Sequence, residues 1–170
     1  MHCKTDDYQT ILMDTPIPYL PWGWVFEVQI TNTGEDDVIA VGLCEKNYPA
    51  NKLPGWKPLS IGYHGDDGGI YVESGKMTYR NETFKDARIG LYIHQDLNFL
   101  EFTKGPALGD DSKSLCRIRP EHLLKKELYL CVGFRFAKDA IVRTFDYKGK
   151  RNLNEGSRIE DKYFLCPRIN

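Results

Sequence analysis

The chain has 170 residues, with 23 Lys and Arg against 24 Asp and Glu, so its formal net charge is −1. This balance excludes the strongly basic surface on which non-specific nucleic-acid binding depends, so no nucleic-acid partner is expected. Hydrophobic residues make up 41% and aromatic residues 12%, a composition that is typical of one globular domain and favours sheets over helical bundles. The longest apolar runs have five to seven residues, too few to cross a membrane, and no membrane partner is expected.

The first predicted strand covers residues 25–30, where Val-Phe-Glu-Val-Gln-Ile alternates apolar and polar side chains. A period of two is the pattern of a half-buried strand. Residues 38–43, Val-Ile-Ala-Val-Gly-Leu, are almost continuously apolar, which predicts a strand that is covered on both faces. The polar turn at 33–36 predicts that these two strands form a hairpin.

Three more pairs of apolar segments follow, each joined by a short polar turn: 61–64 with 70–72, 89–93 with 99–102, and 128–136 with 141–145. Each pair is predicted to form a β-hairpin. The run Gly-Asp-Asp-Gly-Gly at 65–69 is a strong turn signal, because glycine adopts positive φ without steric cost. Residues 120–124 predict helix, and no more than one or two turns of it.

Residues 105–119 are polar and are predicted to form a long loop. From residue 148 the chain is a charged tail, whose apolar triplet at 163–165 is expected to pack back on the domain. Many short strands with Gly- and Asp-rich turns indicate an all-β sandwich or barrel.

Five cysteines are spread along the chain without a Cys-x-x-Cys spacing: Cys3, Cys44, Cys116, Cys131 and Cys166. Cys44 and Cys131 stand in apolar, strand-like runs, where a reduced thiol behaves as a small hydrophobic side chain. Disulfides and metal ligation are the alternatives, but the odd number and the spacing favour free thiols. We therefore expect a reducing compartment, the cytoplasm or also the nucleus. Secretion is expected only if a signal peptide has been removed, since the first residues have no apolar core.

The most enzyme-like stretch is His64-Gly-Asp-Asp67. A histidine beside two carboxylates could bind a metal or exchange protons with a substrate. The alternative is a tight turn in which the Asp side chains accept hydrogen bonds from nearby backbone amides, and the lack of a second ligand set favours it. No nucleophile or phosphate-binding motif occurs, so we expect no catalytic residue, no metal and no cofactor.

The segment 53–68, Leu-Pro-Gly-Trp-Lys-Pro-Leu-Ser-Ile-Gly-Tyr-His-Gly-Asp-Asp-Gly, resembles the SPRY domain. The resemblance is to the branch of the family found in RanBPM and related scaffolds of the CTLH ubiquitin ligase. Pro-Ile-Pro at 16–18, Phe-Glu-Val at 26–28 and Ile-Ala-Val-Gly-Leu at 39–43 fit the same template. The similarity covers about residues 14–147.

This resemblance implies an all-β fold, a two-sheet antiparallel β-sandwich of the concanavalin-like jelly-roll type. It implies one SPRY domain over residues 1–147, with the long loop at 105–119 and a tail at 148–170 that packs partly on the domain. Partner binding would use loops at one end of the sandwich. The residues implied by matching position are Pro16, Ile17, Pro18, Leu53, Pro54, Gly55, Trp56, Arg135 and Phe136.

The residue types agree with that surface, since Trp and Arg are enriched at the centres of protein interfaces. Trp56 is flanked by Pro-Gly and Lys-Pro, which favours a loop position at the surface over a place in the core.

The leading hypothesis is a non-catalytic protein–protein interaction module that binds a short segment of a partner, as the substrate-recognition or scaffold part of a ubiquitin ligase. A secreted RanBPM-like effector that binds host proteins is the alternative within the binding class. A carbohydrate-binding or glycosidase β-sandwich is the alternative outside it.

Overall fold

The computed structural model describes residues 8–19, 24–32, 38–79, 84, 87–106, 113–120, 122–135, 141–148 and 161–165. Within these ranges the chain forms two six-stranded antiparallel sheets and one 3-10 turn, at Leu123–Lys125. The all-β, two-sheet sandwich that the sequence predicts is confirmed, and so is the short helical segment. No helix in the described part of the chain is long or apolar enough to span a membrane.

The first sheet, sheet A, has the strand order β1-β10-β3-β4-β5-β6. Its strands are β1 (Tyr8–Leu12), β3 (Ile39–Cys44), β4 (Ser60–His64), β5 (Gly69–Val72), β6 (Gly75–Tyr79) and β10 (Tyr129–Arg135). The second, sheet B, has the order β12-β11-β2-β7-β8-β9. Its strands are β2 (Trp24–Asn32), β7 (Ala87–His94), β8 (Phe99–Pro106), β9 (Lys113–Ile118), β11 (Ile141–Lys148) and β12 (Asp161–Leu165).

One core joins the inner faces of the two sheets. From β2, the alternate residues Phe26, Val28 and Ile30 enter it and are at most 2% exposed. Sheet A contributes in the same way, for example through Ile61 and Tyr63 of β4. Full burial of side chains of this size contributes about 1.5–3 kcal/mol each. The alternation seen in the sequence at 25–30 is therefore the alternation between this core and the other face of sheet B.

Two of the four predicted hairpins are confirmed and two are wrong. β4 pairs with β5, and β7 pairs with β8, as their turns predict. β2 and β3 belong to different sheets, since β2 lies between β11 and β7 while β3 lies between β10 and β4. β10 and β11 are separated between the sheets in the same way. A polar turn shows where the chain reverses, but it does not determine which sheet receives the next strand.

The prediction of a loop over 105–119 is wrong for residues 105–106, which end β8, and for residues 113–118, which form the edge strand β9. The polar composition hid this strand because its side chains bond to a neighbouring strand. Arg117 lies opposite Glu101 of β8, with 2.7 Å between Nη2 and Oε2, and its guanidinium lies 4.7 Å from the Phe99 ring centroid. In the predicted tail, residues 163–165 lie in β12, which pairs with β11.

The outer face of sheet A is covered by residues 45–59, here called the covering loop. β3 is consequently buried along its whole length, as its continuous apolar run predicts. The sheet presents glycines to the loop, with Gly42 directly opposite Gly62 on the neighbouring strand. A Cβ at Gly133 would lie 2.7 Å from the Leu53 side chain and 2.7 Å from that of Pro54. The loop therefore lies on main chain rather than on side chains.

Replacing Gly133 by Ala is expected to destabilise the domain by about 1–3 kcal/mol, because the added methyl group overlaps a packed layer. The matched control is Gly75→Ala in β6, where a Cβ would meet only the Val72 carbonyl, at 3.4 Å. That exposed change should alter the free energy of unfolding by about 0.5 kcal/mol or less. Urea unfolding measures both, and equal losses would contradict the tight seating of the covering loop.

Cys44 and Cys131 lie side by side on this outer face, beneath Tyr48 of the covering loop. Both are free and at most 1% exposed, which confirms the prediction of buried thiols. Burial raises the pKa of the Cys131 thiol well above its ordinary value of 9.0, and the adjacent Cys44 thiol raises it further. A thiol in such a place stays protonated and unreactive in the folded protein.

The raised pKa of Cys131 predicts a loss of stability in alkali. Above pH 9.0 the unfolded thiol ionises while the folded one does not. The unfolded state then binds fewer protons, and the free energy of unfolding falls as the pH rises. This one thiol contributes a slope of about 1.4 kcal/mol per pH unit. Cys131→Ala should flatten the alkaline slope in urea unfolding, although it destabilises the protein at neutral pH. An unchanged slope would contradict the shift.

Candidate partner-binding surface

Hydrogen bonds fix the Leu-Pro-Gly-Trp segment of the covering loop, one of them within the loop and two to residues outside it. The Tyr48 hydroxyl donates to the Leu53 carbonyl at 2.6 Å. The Gly55 amide donates to the Ser60 hydroxyl at 2.9 Å, and the Gly55 carbonyl accepts from the Ser74 amide at 2.9 Å. Gly55 has φ +90°, a conformation that is strongly unfavourable for residues other than glycine. The segment is therefore fixed in one shape before any partner arrives.

Three of the implied contact residues are buried on the side of the loop that faces the sheet: Leu53, Pro54 and Gly55. Leu53 packs against Val38 and Ala40 of sheet A in a small separate cluster. These residues can support a binding surface from below, but their side chains do not form one.

Trp56 is the residue of this segment that reaches the surface, and it is half-buried. Its ring meets Tyr8 of β1 edge to face, with 4.9 Å between centroids. The Arg135 guanidinium lies over the Tyr8 ring, 5.5 Å from its centroid. Arg135 and Tyr8 face each other in the register of β10 and β1. We call Trp56, Tyr8 and Arg135 the aromatic strip.

Tyr8 was absent from the sequence-based site. No strand was predicted at residues 8–12, because Tyr-Gln-Thr-Ile-Leu does not alternate between apolar and polar residues. An edge strand of five residues gives a weak signal. The link to Arg135 depends on the pairing of strands more than 100 residues apart, which a single sequence does not reveal.

Pro16, Ile17 and Pro18 do not lie beside the aromatic strip. The Ile17 amide donates to the Leu128 carbonyl at 2.7 Å, next to the first residue of β10, whereas Arg135 is the last residue of that strand. The two places are about 20 Å apart at the rise of an extended strand. Of the residues implied by the resemblance, the structure therefore brings Trp56 and Arg135 together around Tyr8, while Pro16, Ile17 and Pro18 lie toward the other end of β10. Phe136 lies outside the described residues.

The His64-Gly-Asp-Asp67 stretch forms the predicted tight turn. Asp67 Oδ1 accepts the Gly69 amide at 2.7 Å, and Asp67 Oδ2 accepts the Tyr71 hydroxyl at 2.7 Å. His64 is 2% exposed, and its Nε2 lies 2.8 Å from the Pro54 carbonyl oxygen. Both side chains hold the structure of sheet A and its covering loop together.

The fold and its surface can be compared with known proteins. The family model of the SPRY domain matches residues 23–147. The chain belongs to the SPRY family. Ran-binding protein 9 of Danio rerio is 36% identical over 111 residues, which are 64% of this chain and 19% of that protein. SPRY domain-containing protein 3 of Homo sapiens is 52% identical over 50 residues, 29% of this chain and 11% of that protein.

This SPRY domain thus spans about a fifth or less of the length of these relatives. The crystal structure of a human SPRY domain superposes with a TM-score of 0.59 and 24% identity, covering 84% of this chain and 87% of that one. The family that the sequence resembles is confirmed. SPRY domains are in general protein-interaction modules and typically lack catalytic activity.

The buried hydrogen bond of Tyr48 is expected to stabilise the covering loop of the SPRY domain. Tyr48→Phe removes a buried donor to Leu53 and should lower the free energy of unfolding by about 1 kcal/mol. Tyr19→Phe is the matched control, because Tyr19 is 61% exposed and donates to Asp96 at the surface. Its effect should stay within about 0.5 kcal/mol. Urea unfolding distinguishes the two, and equal effects would argue against a buried anchor.

Proposed function

We propose that this SPRY domain binds a short segment of a partner protein at the aromatic strip, and that it recognises the partner without catalysing a reaction. The observation that carries the proposal is the position of Trp56, half-buried on a fixed loop with Tyr8 at its edge and Arg135 beyond. Trp, Tyr and Arg are the residue types that dominate binding energies in interfaces.

Rigidity supports the same proposal. Association costs free energy for every side chain and loop that must become ordered. Tyr8 and Arg135 stand on paired strands, and the Leu-Pro-Gly-Trp segment is hydrogen-bonded to Tyr48 within the loop and to Ser60 at the start of β4. Little ordering remains to be done on the side of the domain, so a short segment can bind with useful affinity.

The chemistry of the strip suggests what the partner segment contains. The Trp56 and Tyr8 rings suit an aliphatic or aromatic anchor side chain. The Arg135 guanidinium suits a carboxylate or a backbone carbonyl next to that anchor. We propose a segment that combines one apolar anchor with an acidic or strongly hydrogen-bonding neighbour.

The role without catalysis is supported by the way the enzyme-like residues are used. Both carboxylate oxygens of Asp67 accept hydrogen bonds from within the hairpin. His64 is buried against the covering loop. Burial at this level leaves no room for a substrate at the imidazole.

In a longer protein, this module would supply recognition to a larger assembly. The matched region is 19% and 15% of the length of two relatives named Ran-binding protein 9, so the SPRY domain is one part among others there. We propose that the present domain brings its partner to a scaffold, with a ubiquitin ligase as the assembly that the resemblance to RanBPM-type scaffolds favours.

The proposal is tested by selecting peptides from a display library on the 170-residue chain and measuring affinities by calorimetry. Trp56→Ala should weaken the selected peptides by about 30-fold or more, the loss of a typical interface anchor. Pro18→Ala is the control at the far end of β10, and its affinities should change less than about twofold.

The same two variants give the opposite result if the surface is elsewhere. Loss of binding in Pro18→Ala with full binding in Trp56→Ala would place the site at the far end and overturn the proposal. Circular dichroism confirms that each variant is folded before it is compared.

A further inference from the structure

We propose that the β4–β5 hairpin sets the position of Trp56 through a relay of side chains, Asp67 to Tyr71 to His64 to the covering loop. His64 is then a positioning residue for partner binding. This inference rests on the proposed function of the aromatic strip, and it gives a use to the His-Asp cluster that the sequence singled out as enzyme-like.

The relay begins at Asp67, in the turn between the two strands. Its two carboxylate oxygens bond in different directions, one to the Gly69 amide and one to the Tyr71 hydroxyl, both at 2.7 Å. The first bond shapes the turn, and the second fixes the end of the Tyr71 side chain. A carboxylate acceptor makes both bonds stronger than neutral ones. The Tyr71 ring is thus held in place by its own hairpin.

Tyr71 then contacts His64. The two rings lie 4.3 Å apart between centroids at an angle of 36°, a close, tilted stack. His64 is 2% exposed, so its ring is enclosed by such contacts. Tyr71 also touches the covering loop directly, because a Cβ at Gly55 would lie 2.5 Å from the Tyr71 carbonyl oxygen. Hairpin and loop therefore meet at the main chain and Cβ of Tyr71.

His64 contacts the covering loop in two ways. Its Nε2 lies 2.8 Å from the Pro54 carbonyl oxygen, and because a carbonyl only accepts, Nε2 carries the hydrogen of this bond. Its ring also contacts the Trp56 ring, with 5.7 Å between centroids at 44°. One imidazole therefore bonds the residue two positions before Trp56 and packs against Trp56 itself.

Removal of the imidazole should let Trp56 adopt other positions. The Pro54 carbonyl loses its side-chain donor, and the Trp56 ring loses its contact with the His64 ring and keeps that with Tyr8. A side chain of similar length with a terminal N–H should restore the hydrogen bond to the Pro54 carbonyl, though not the contact with the Trp56 ring. Gln has this property and Leu does not, which separates the hydrogen bond from simple space filling.

The experiment uses the 170-residue chain labelled with 5-fluorotryptophan. The chain has three tryptophans, and the fluorine signal of Trp56 is identified by its loss in Trp56→Phe. His64→Leu is expected to shift or broaden the Trp56 signal and to weaken a peptide selected on the parent chain by at least about tenfold. His64→Gln is expected to keep the Trp56 signal near its parent position and to lose less than about threefold in affinity.

Two further variants complete the test. Tyr71→Phe removes the hydroxyl that bonds Asp67 while keeping the ring, so it should move the Trp56 signal in the same direction as His64→Leu, by less. Asp66→Asn changes the exposed neighbour of the relay and should leave signal and affinity unchanged. If His64→Leu does not fold, the relay is tested with Tyr71→Phe instead, by the Trp56 fluorine signal and the peptide affinity.

The outcomes separate this inference from the proposed function. A folded His64→Leu chain with an unchanged Trp56 signal and unchanged affinity overturns the relay, as does a loss of stability alone. If the Trp56 signal moves in His64→Leu while Trp56→Ala still binds the peptide at parent affinity, the relay stands and the proposed binding surface is wrong.

Discussion

Close contact between main chain and main chain on the outer face of sheet A is the constraint on which the rest of the molecule depends. Gly42 and Gly62 face each other there, and Gly133 stands on the next strand. A side chain at Gly62 or Gly133 would push against Pro54 or Leu53 of residues 45–59, and one at Gly42 would collide with the main chain of β4. Because nothing intervenes, a loop of irregular conformation acquires a fixed shape from the regular surface beneath it. The place of Trp56 is therefore determined by the sheet rather than by the loop alone.

Much of the architecture could be predicted from the sequence, because the burial of a strand in a sandwich shows in the hydrophobic pattern of its own residues. Alternation at 25–30 and the apolar run at 38–43 identify strands with one and two covered faces. The glycine-rich turn at 65–69 identifies a hairpin. What could not be predicted is the sheet to which each strand belongs, since the partners of β2 and β3 are distant in sequence.

The site was less accessible to sequence reasoning than the fold. Trp56 was identified because its proline and glycine neighbours mark a loop. Tyr8 was missed because its role depends on facing Arg135 across a strand pair. Without β1, nothing in the sequence showed that Pro16–Pro18 lead away from Arg135. Residue type indicated the chemistry of the surface, whereas its extent depends on long-range pairing.

The burial of the covering loop limits how this domain can diversify. Most of the Leu-Pro-Gly-Trp segment is committed to the sheet, so substitutions there disturb the scaffold before they alter recognition. The side chains of Lys57 and Pro58, which follow Trp56, are exposed, and the contact of Lys57 with the sheet is through its carbonyl, which accepts the Ser60 hydroxyl at 2.6 Å. Under the proposed function, substitutions at these two positions would change the surroundings of Trp56 and leave the layer between loop and sheet intact. The tryptophan would then be a constant anchor for ligands that differ around it.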